Sequence, residues 1–154
     1  TSRGLGDVYK RQDKIYDAIE RADLPVIFHS GYDCVSPDLI HSTPERALNM
    51  IKKHPKLKVI LAHLGANMMW EQVRDVLAGV DGEVYFDTAF TSMCPDELMQ
   101  AIVEKHGADR ILFASDCPWD SSYLIKEKIL RLNISEDNKD KILGGNAERL
   151  LGLK

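Results

Sequence analysis

Long apolar runs, paired cysteines and clustered positive charge are all missing from this sequence, and each absence removes a class of function. No apolar run approaches the roughly 18 residues of a membrane span, and no stretch shows the charged, apolar and small-residue order of a secretory signal. Cys34, Cys94 and Cys117 are odd in number, far apart and without a CxxC pair. That pattern argues against a disulfide framework and a structural zinc site, and fits packing or loop thiols in a reducing cytoplasm. Lys and Arg number 20 against 24 Asp and Glu, for a net charge of −4. The basic residues are dispersed, so the one-sided positive surface that phosphate backbones require is absent. The single tight basic run, "KKHPKLK" at 52–58, falls at a helix end, where cations complement the helix dipole. Neither nucleic acid nor a membrane is an expected partner; a small molecule is.

What is present is a chain of 154 residues, 44% hydrophobic, long enough for one core and short for two domains. The first twelve residues, "TSRGLGDVYKRQ", have little periodicity and are set aside as a non-native or disordered leader. From residue 13 to 154 the pattern is regular. Ile15, Ala18, Ile19 and Ala22 predict a helix over 13–22. "LPVIFH" at 24–29, "LKVILAH" at 57–63, "EVYFDT" at 83–88 and "RILFAS" at 110–115 read as four buried strands.

Helices alternate with the strands. One opens at Thr43 as N-cap with Pro44 in its first turn, and one carries Met69, Val73, Val76 and Leu77 and stops at Gly79. A third is led by Pro95 and stops at Gly107, and a fourth spans about 122–132. Ser135 caps one that stops at Gly144-Gly145, and Asn146 is expected to cap the last. Nearly continuous apolar strands separated by helices predict a parallel α/β sheet with crossover helices on its faces.

Each strand ends in a polar side chain: His29, His63, Asp87 and, after "RILFAS", Asp116. In parallel α/β folds all carboxyl ends face one side, where substrates bind. Two imidazoles and two carboxylates on one rim are the groups that hold a divalent metal and activate its water. Taken singly each has a plainer reading, a packed histidine or a turn-capping Asp; the joint pattern favours chemistry. His41 and Asp33 in the long loop, and His54 and His106 at helix ends, need only solvation or capping.

"LPVIFHSG", "KVILAHLG", "VYFDT", "RILFASDCPW" and "ILGGNAERLLGL" resemble, in order and spacing, the carboxyl-terminal half of the amidohydrolase-related metal-dependent hydrolases with a TIM-barrel fold. That group also includes the aminocarboxymuconate-semialdehyde decarboxylase type. The resemblance implies strands five to eight of a (β/α)8 barrel. It implies His29 as a metal ligand, and His63 as a ligand or as a polarising acid or base. Asp116 becomes a metal ligand that takes a proton from the metal's water. Asp87 becomes a partner that orients a ligand.

The family's first-strand His-x-His pair has no counterpart here, and about 140 residues suit four βα units where a barrel needs about 250. The expectation is therefore half of an enzyme, truncated at its amino end, inactive or metal-poor alone and open to self-association at its exposed sheet edge. The expected activity is metal-dependent hydrolysis of a small amide, ester or lactone, most simply with zinc. The alternatives are a non-oxidative decarboxylase built on the same site and a non-catalytic α/β module. Tyr32, Phe90 and Trp119 are the expected pocket walls. Arg46, Arg74 and Arg110 are poor candidates for holding a substrate carboxylate.

Overall fold

Four strands, Pro25–Phe28 (β1), Lys58–Leu61 (β2), Val84–Asp87 (β3) and Ile111–Leu112 (β4), pair in parallel in the order β1-β2-β3-β4. The computed structural model describes residues 5–36, 38, 40 and 42–153, with side chains from Gln12 onward; His41 lies outside the described residues. Consecutive strand order is that of a barrel wall, since a doubly wound sheet reverses direction at a switch point. The sheet is thus half of a (β/α)8 barrel.

The helices cover one face of this sheet. Alternation along β2, β3 and β4 puts Val59, Leu61, Val84, Phe86 and Ile111 into one buried cluster. Ala47 and Ile51 of helix α2 (Pro44–Lys53), Leu98, Met99, Ile102 and Val103 of α4 (Asp96–His106), and Ile125 and Ile129 of α5 (Ser122–Arg131) complete it. Residues paired across a parallel sheet share a face. Ile27, Ile60 and Tyr85 therefore point the other way, and Ile27 is 62% exposed.

Several helix boundaries are as the sequence predicts. Thr43 Oγ1 accepts from the Arg46 N–H, Ser121 from Leu124 and Ser135 from Asn138. Gly107 ends α4 at φ +98. Helix α3 (Trp70–Gln72) runs directly into a π turn over Val73–Leu77, which Ala78 closes by donating to the Val73 carbonyl. No described helix is long and apolar enough to cross a membrane.

Four expectations are corrected. The first helix, α1, spans Leu5–Arg21 where 13–22 was expected, so residues 5–12 of the presumed leader are helical. No proline interrupts this stretch, and each added residue gains one backbone hydrogen bond.

Gly144-Gly145 is no stop. The helix α6 (Glu136–Asp140) passes through a π turn, Lys141–Gly145, into α7 (Asn146–Leu151). Asn146 caps nothing. It is fully buried, and its Nδ2 donates to the Ala108 and Ile111 carbonyls at 2.7 and 2.8 Å. Phe113 N–H donates to the Ile142 carbonyl at 3.0 Å. Together these bonds occupy the outer edge of β4, so the freedom of that edge is spent within the chain. At the opposite edge β1 begins with Pro25, which has no N–H to offer a further strand.

His106 and His54 sit at helix ends but are buried. His54 Nε2 lies 3.1 Å from Asp13 Oδ1, tying α1 to α2. His106 stacks on Phe86 with ring centroids 3.8 Å apart. Its Nε2 donates to the Val84 carbonyl at 2.9 Å and its Nδ1 accepts from the Gly79 N–H at 3.3 Å. Only a neutral ring can do both. Burial pushes its pKa down from 6.5 to about 3, with the Arg110 charge adding to the effect.

Two measurements follow from this packing. A base with a depressed folded pKa binds its proton in the unfolded chain first, so stability present above pH 6.5 is lost as pH falls toward 3. Urea midpoints should drop between pH 7 and pH 4.5 at up to about 1.4 kcal/mol per pH unit, and His106→Gln should flatten that slope. Asn146→Ala should cost about 2–3 kcal/mol in urea unfolding, because two buried carbonyls lose their donor.

Candidate active site

The four parallel strands bring their carboxyl ends to one rim, and the chain there is locally strained. Of the six described non-glycine residues with positive φ, five (His63, Leu64, Met68, Phe90 and Asp116) stand in the segments that leave β2, β3 and β4. Such conformations cost about 1–3 kcal/mol each and persist where surrounding contacts over-determine them.

His63 shows how. Its backbone N–H donates to Asp87 Oδ1 at 3.0 Å, and its carbonyl accepts from Trp70 Nε1 at 3.1 Å. Its Nδ1 lies 3.1 Å from the Ala89 carbonyl and its Nε2 lies 2.9 Å from Nδ1 of His29. A carbonyl only accepts, so the Ala89 contact places the proton on His63 Nδ1 and leaves Nε2 bare. His29 Nδ1 must then carry the proton that His63 Nε2 receives. The remaining lone pair of the coupled rings is on His29 Nε2, which has no partner among the described residues. His63 is buried and His29 exposed, so the line of hydrogen bonds runs from the protein interior to the rim.

Asp87 is buried, and burial pushes its carboxyl above the usual carboxylate range; the N–H groups of His63 and Ala89 pull the other way, and the negative Asp116 adds to the rise. Its Oδ1 accepts both of those N–H groups at 3.0 Å. The sequence suggests that Asp87 orients a ligand; its carboxylate accepts the backbone N–H of His63, and the ring meets the Ala89 carbonyl through Nδ1.

Asp116 is exposed at φ +61, and its carboxylate has no hydrogen-bond or ion-pair partner among the described residues. His29, His63 and Asp116 share the rim without converging: no three His, Cys, Asp or Glu side chains among the described residues come close enough to hold a metal ion. His29 has one ring nitrogen held by His63 and the other without a partner among the described residues. A metal centre needs three or four ligating groups, and the described residues do not bring them together.

Among the expected pocket walls, Phe90 sits edge-on to His63 with ring centroids 6.4 Å apart. Trp119 is 77% exposed on the turn after Asp116, and Tyr32 is 43% exposed. Tyr32 is fixed through Asn67, whose backbone carbonyl accepts from the Tyr32 N–H and whose Nδ2 donates to the Tyr32 carbonyl. Between them Gly31 has φ +86, and a Cβ there would stand 2.2 Å from the Asn67 nitrogen, so no other residue fits. Arg110 is committed to the carbonyls of His106 and Val80 and Arg74 to Asp75. The residues that sequence reasoning missed, Ala89, Trp70, Asn67 and Thr88, act through carbonyls, an amide side chain, an indole N–H and a hydroxyl beside the named motifs.

The double acceptance at Asp87 separates its oxygen from its charge. Asp87→Ala should cost about 2–4 kcal/mol, two buried N–H groups being left unpaired. Asp87→Asn keeps the acceptor and removes a carboxylate disfavoured by burial, so its urea midpoint at pH 7 should match or exceed that of the parent. An equal loss in both variants would show that the charge, and not the oxygen, holds the turn.

The family model described as Amidohydrolase matches residues 2–153. A gamma-resorcylate decarboxylase from Polaromonas sp. (strain JS666) is 28% identical over 131 residues, covering 74% of this chain and 40% of that protein. The crystal structure of 2,6-dihydroxybenzoate decarboxylase from Rhizobium superposes with a TM-score of 0.67 at 22% identity, over 91% of this chain and 55% of that one. The dihydroxybenzoic acid decarboxylase of Polaromonas sp. JS666, solved with manganese and 2-nitroresorcinol, gives 0.66 at 20% identity over 91% and 53%. The chain thus spans about half the length of these solved structures and 40% of the curated relative. With a match across nearly every residue and a half-barrel whose strands run in family order, the chain belongs to the amidohydrolase family.

Proposed function

We propose that this chain contributes the carboxyl-terminal half of the active site of a non-oxidative decarboxylase acting on a hydroxylated benzoate. The observation that carries the proposal is the His29–His63 pair, a proton-handling unit with defined tautomers at the rim of the sheet. The 28% identical relatives are gamma-resorcylate decarboxylases, which supports decarboxylation over the hydrolysis expected from the sequence; hydrolysis finds support only in the wider family.

Decarboxylation replaces a carbon–carbon bond by a carbon–hydrogen bond. The ring carbon takes a proton, keeps the electron pair of the broken bond, and the carboxylate leaves as CO2. The site must therefore deliver one proton to carbon and shield it from bulk water. His63 Nε2 would take that proton once the His29 Nδ1–H bond to it opens, and the Ala89 carbonyl, bound to His63 Nδ1–H, would keep the ring aimed while the proton is given up. Phe90, edge-on to His63, offers an apolar wall to an aromatic substrate. A divalent ion is part of this reading: His29 and Asp116 would be its ligands from this chain, and it would supply positive charge to the substrate's oxygens. Manganese, present in a structural relative, suits such an N/O donor set as well as the zinc expected from the sequence.

The test is 2,6-dihydroxybenzoate in D2O, with manganese or zinc, using the chain alone and the chain combined with the amino-terminal half of the Polaromonas enzyme. Resorcinol carrying one ring deuterium is the expected product, and His63→Ala should lower its rate at least about 100-fold. Turnover of an aryl ester or lactone without carboxylate loss would return the assignment to hydrolysis.

A further inference from the structure

Regular pairing between β3 and β4 stops at Asp87 opposite Leu112, four residues short of Asp116. In a parallel ladder the next rung would run from the Ala114 N–H to the Thr88 carbonyl, because Thr88 N–H already donates to the Leu112 carbonyl at 3.0 Å. That carbonyl instead accepts from the Thr91 hydroxyl at 2.6 Å. The Thr88 side chain fills the gap. Its Oγ1 accepts from the Ala114 N–H at 3.0 Å and donates to the Ala114 carbonyl at 2.9 Å. Thr88 is fully buried, so no water competes for either group.

One hydroxyl therefore satisfies both main-chain groups of the residue two places before Asp116. Beyond it the turn closes on itself, Trp119 N–H donating to the Asp116 carbonyl at 2.8 Å, and few bonds tie it to the segment after β3. Phe90 N–H reaches the Ser115 carbonyl at 3.4 Å. Asp120 accepts from Ser92 at 3.0 Å and from Ser121, pinning the far side of the turn to the same segment after β3. The Asp116 side chain has no anchor of its own among the described residues.

We propose that Thr88 is the positioning residue for Asp116: its hydroxyl replaces a missing strand rung and thereby sets where the carboxylate stands on the rim that also carries His29 and His63. The proposal rests on the reading that Asp116 belongs to the site. It assigns Thr88 no contact with substrate. A threonine meets the need because its hydroxyl can donate and accept at once, while its methyl and χ1 stiffness hold the oxygen in one direction.

The test compares Thr88→Val, which keeps shape and loses the hydroxyl, with Thr88→Ser, which keeps the hydroxyl, in the full chain. NMR would follow amide exchange and the Asp116 carboxyl carbon resonance. In Thr88→Val the Ala114 amide should exchange at least about 10-fold faster and the Asp116 resonance should move, a tenfold change corresponding to about 1.4 kcal/mol of local opening. The Ile102 and Ile129 amides should change far less, and Thr88→Ser should restore parental behaviour. If Thr88→Val does not fold, Thr88→Ala, with room for water at the vacated oxygen, carries the same comparison.

Unchanged protection at Ala114, an equal acceleration at Ile102 and Ile129, or failure of serine to restore the Asp116 resonance would each overturn the proposal. The exchange readout needs no turnover. A loosened Asp116 turn in a protein that decarboxylates nothing would leave the clasp standing and dispose of the functional reading alone.

Discussion

One carboxylate oxygen joins the two middle strands at the rim. Asp87 Oδ1 accepts the N–H of His63 from the segment after β2 and the N–H of Ala89 from its own strand's exit. The first bond holds His63 in a left-handed conformation, φ +65, that few residues other than glycine adopt. The second curls the chain so that the Ala89 carbonyl meets His63 Nδ1. The ring orientation, the tautomer and the pairing with His29 all follow from where that oxygen sits. It is buried, so nothing in the solvent competes for it, and the cost appears as a carboxyl whose ionisation burial opposes.

The same division of labour runs through the sheet. Residues facing the helices, such as Val59, Leu61, Phe86 and Ile111, are close-packed and apolar and give the half-barrel its stability. Residues beyond the last ladder rung carry positive φ, buried polar atoms and side-chain-to-backbone bonds. Helices and strands provide a stiff frame, and the strained turns above it aim individual groups. The histidine pair is complete within the described residues, whereas Asp116 gathers no set of ligating side chains among them.

Much of this was legible in the residues. The four strands, their parallel pairing, the Thr43 and Ser135 caps and the four polar strand ends follow from apolar runs, β-branched content and turn chemistry. The strands came out shorter than their apolar runs because each run continues past the last rung into the exit turn, as "FAS" does after Ile111–Leu112. Asn146 misled for an instructive reason. An Asn after two glycines carries every local mark of a cap, and nothing local reveals that the carbonyls of Ala108 and Ile111 will lie beside it. His106 misled in the same way, since a helix-terminal histidine is ordinarily wet and only the approach of β3 makes it a stacked, neutral core residue.

The sequence by itself determined which residues would stand at the strand ends, because the alternation and length of apolar runs are local properties that the backbone reads directly. It determined the family for the same reason, through motifs at fixed offsets from those strands. Only the tertiary structure decided which polar groups meet: His63 with His29, Asp87 with a backbone rather than a ring, Thr88 with Ala114. Those encounters join residues 24 to 34 positions apart, and they depend on sheet register and on turns held at positive φ. No local pattern encodes such distances, which are set by how the whole sheet packs against its helices.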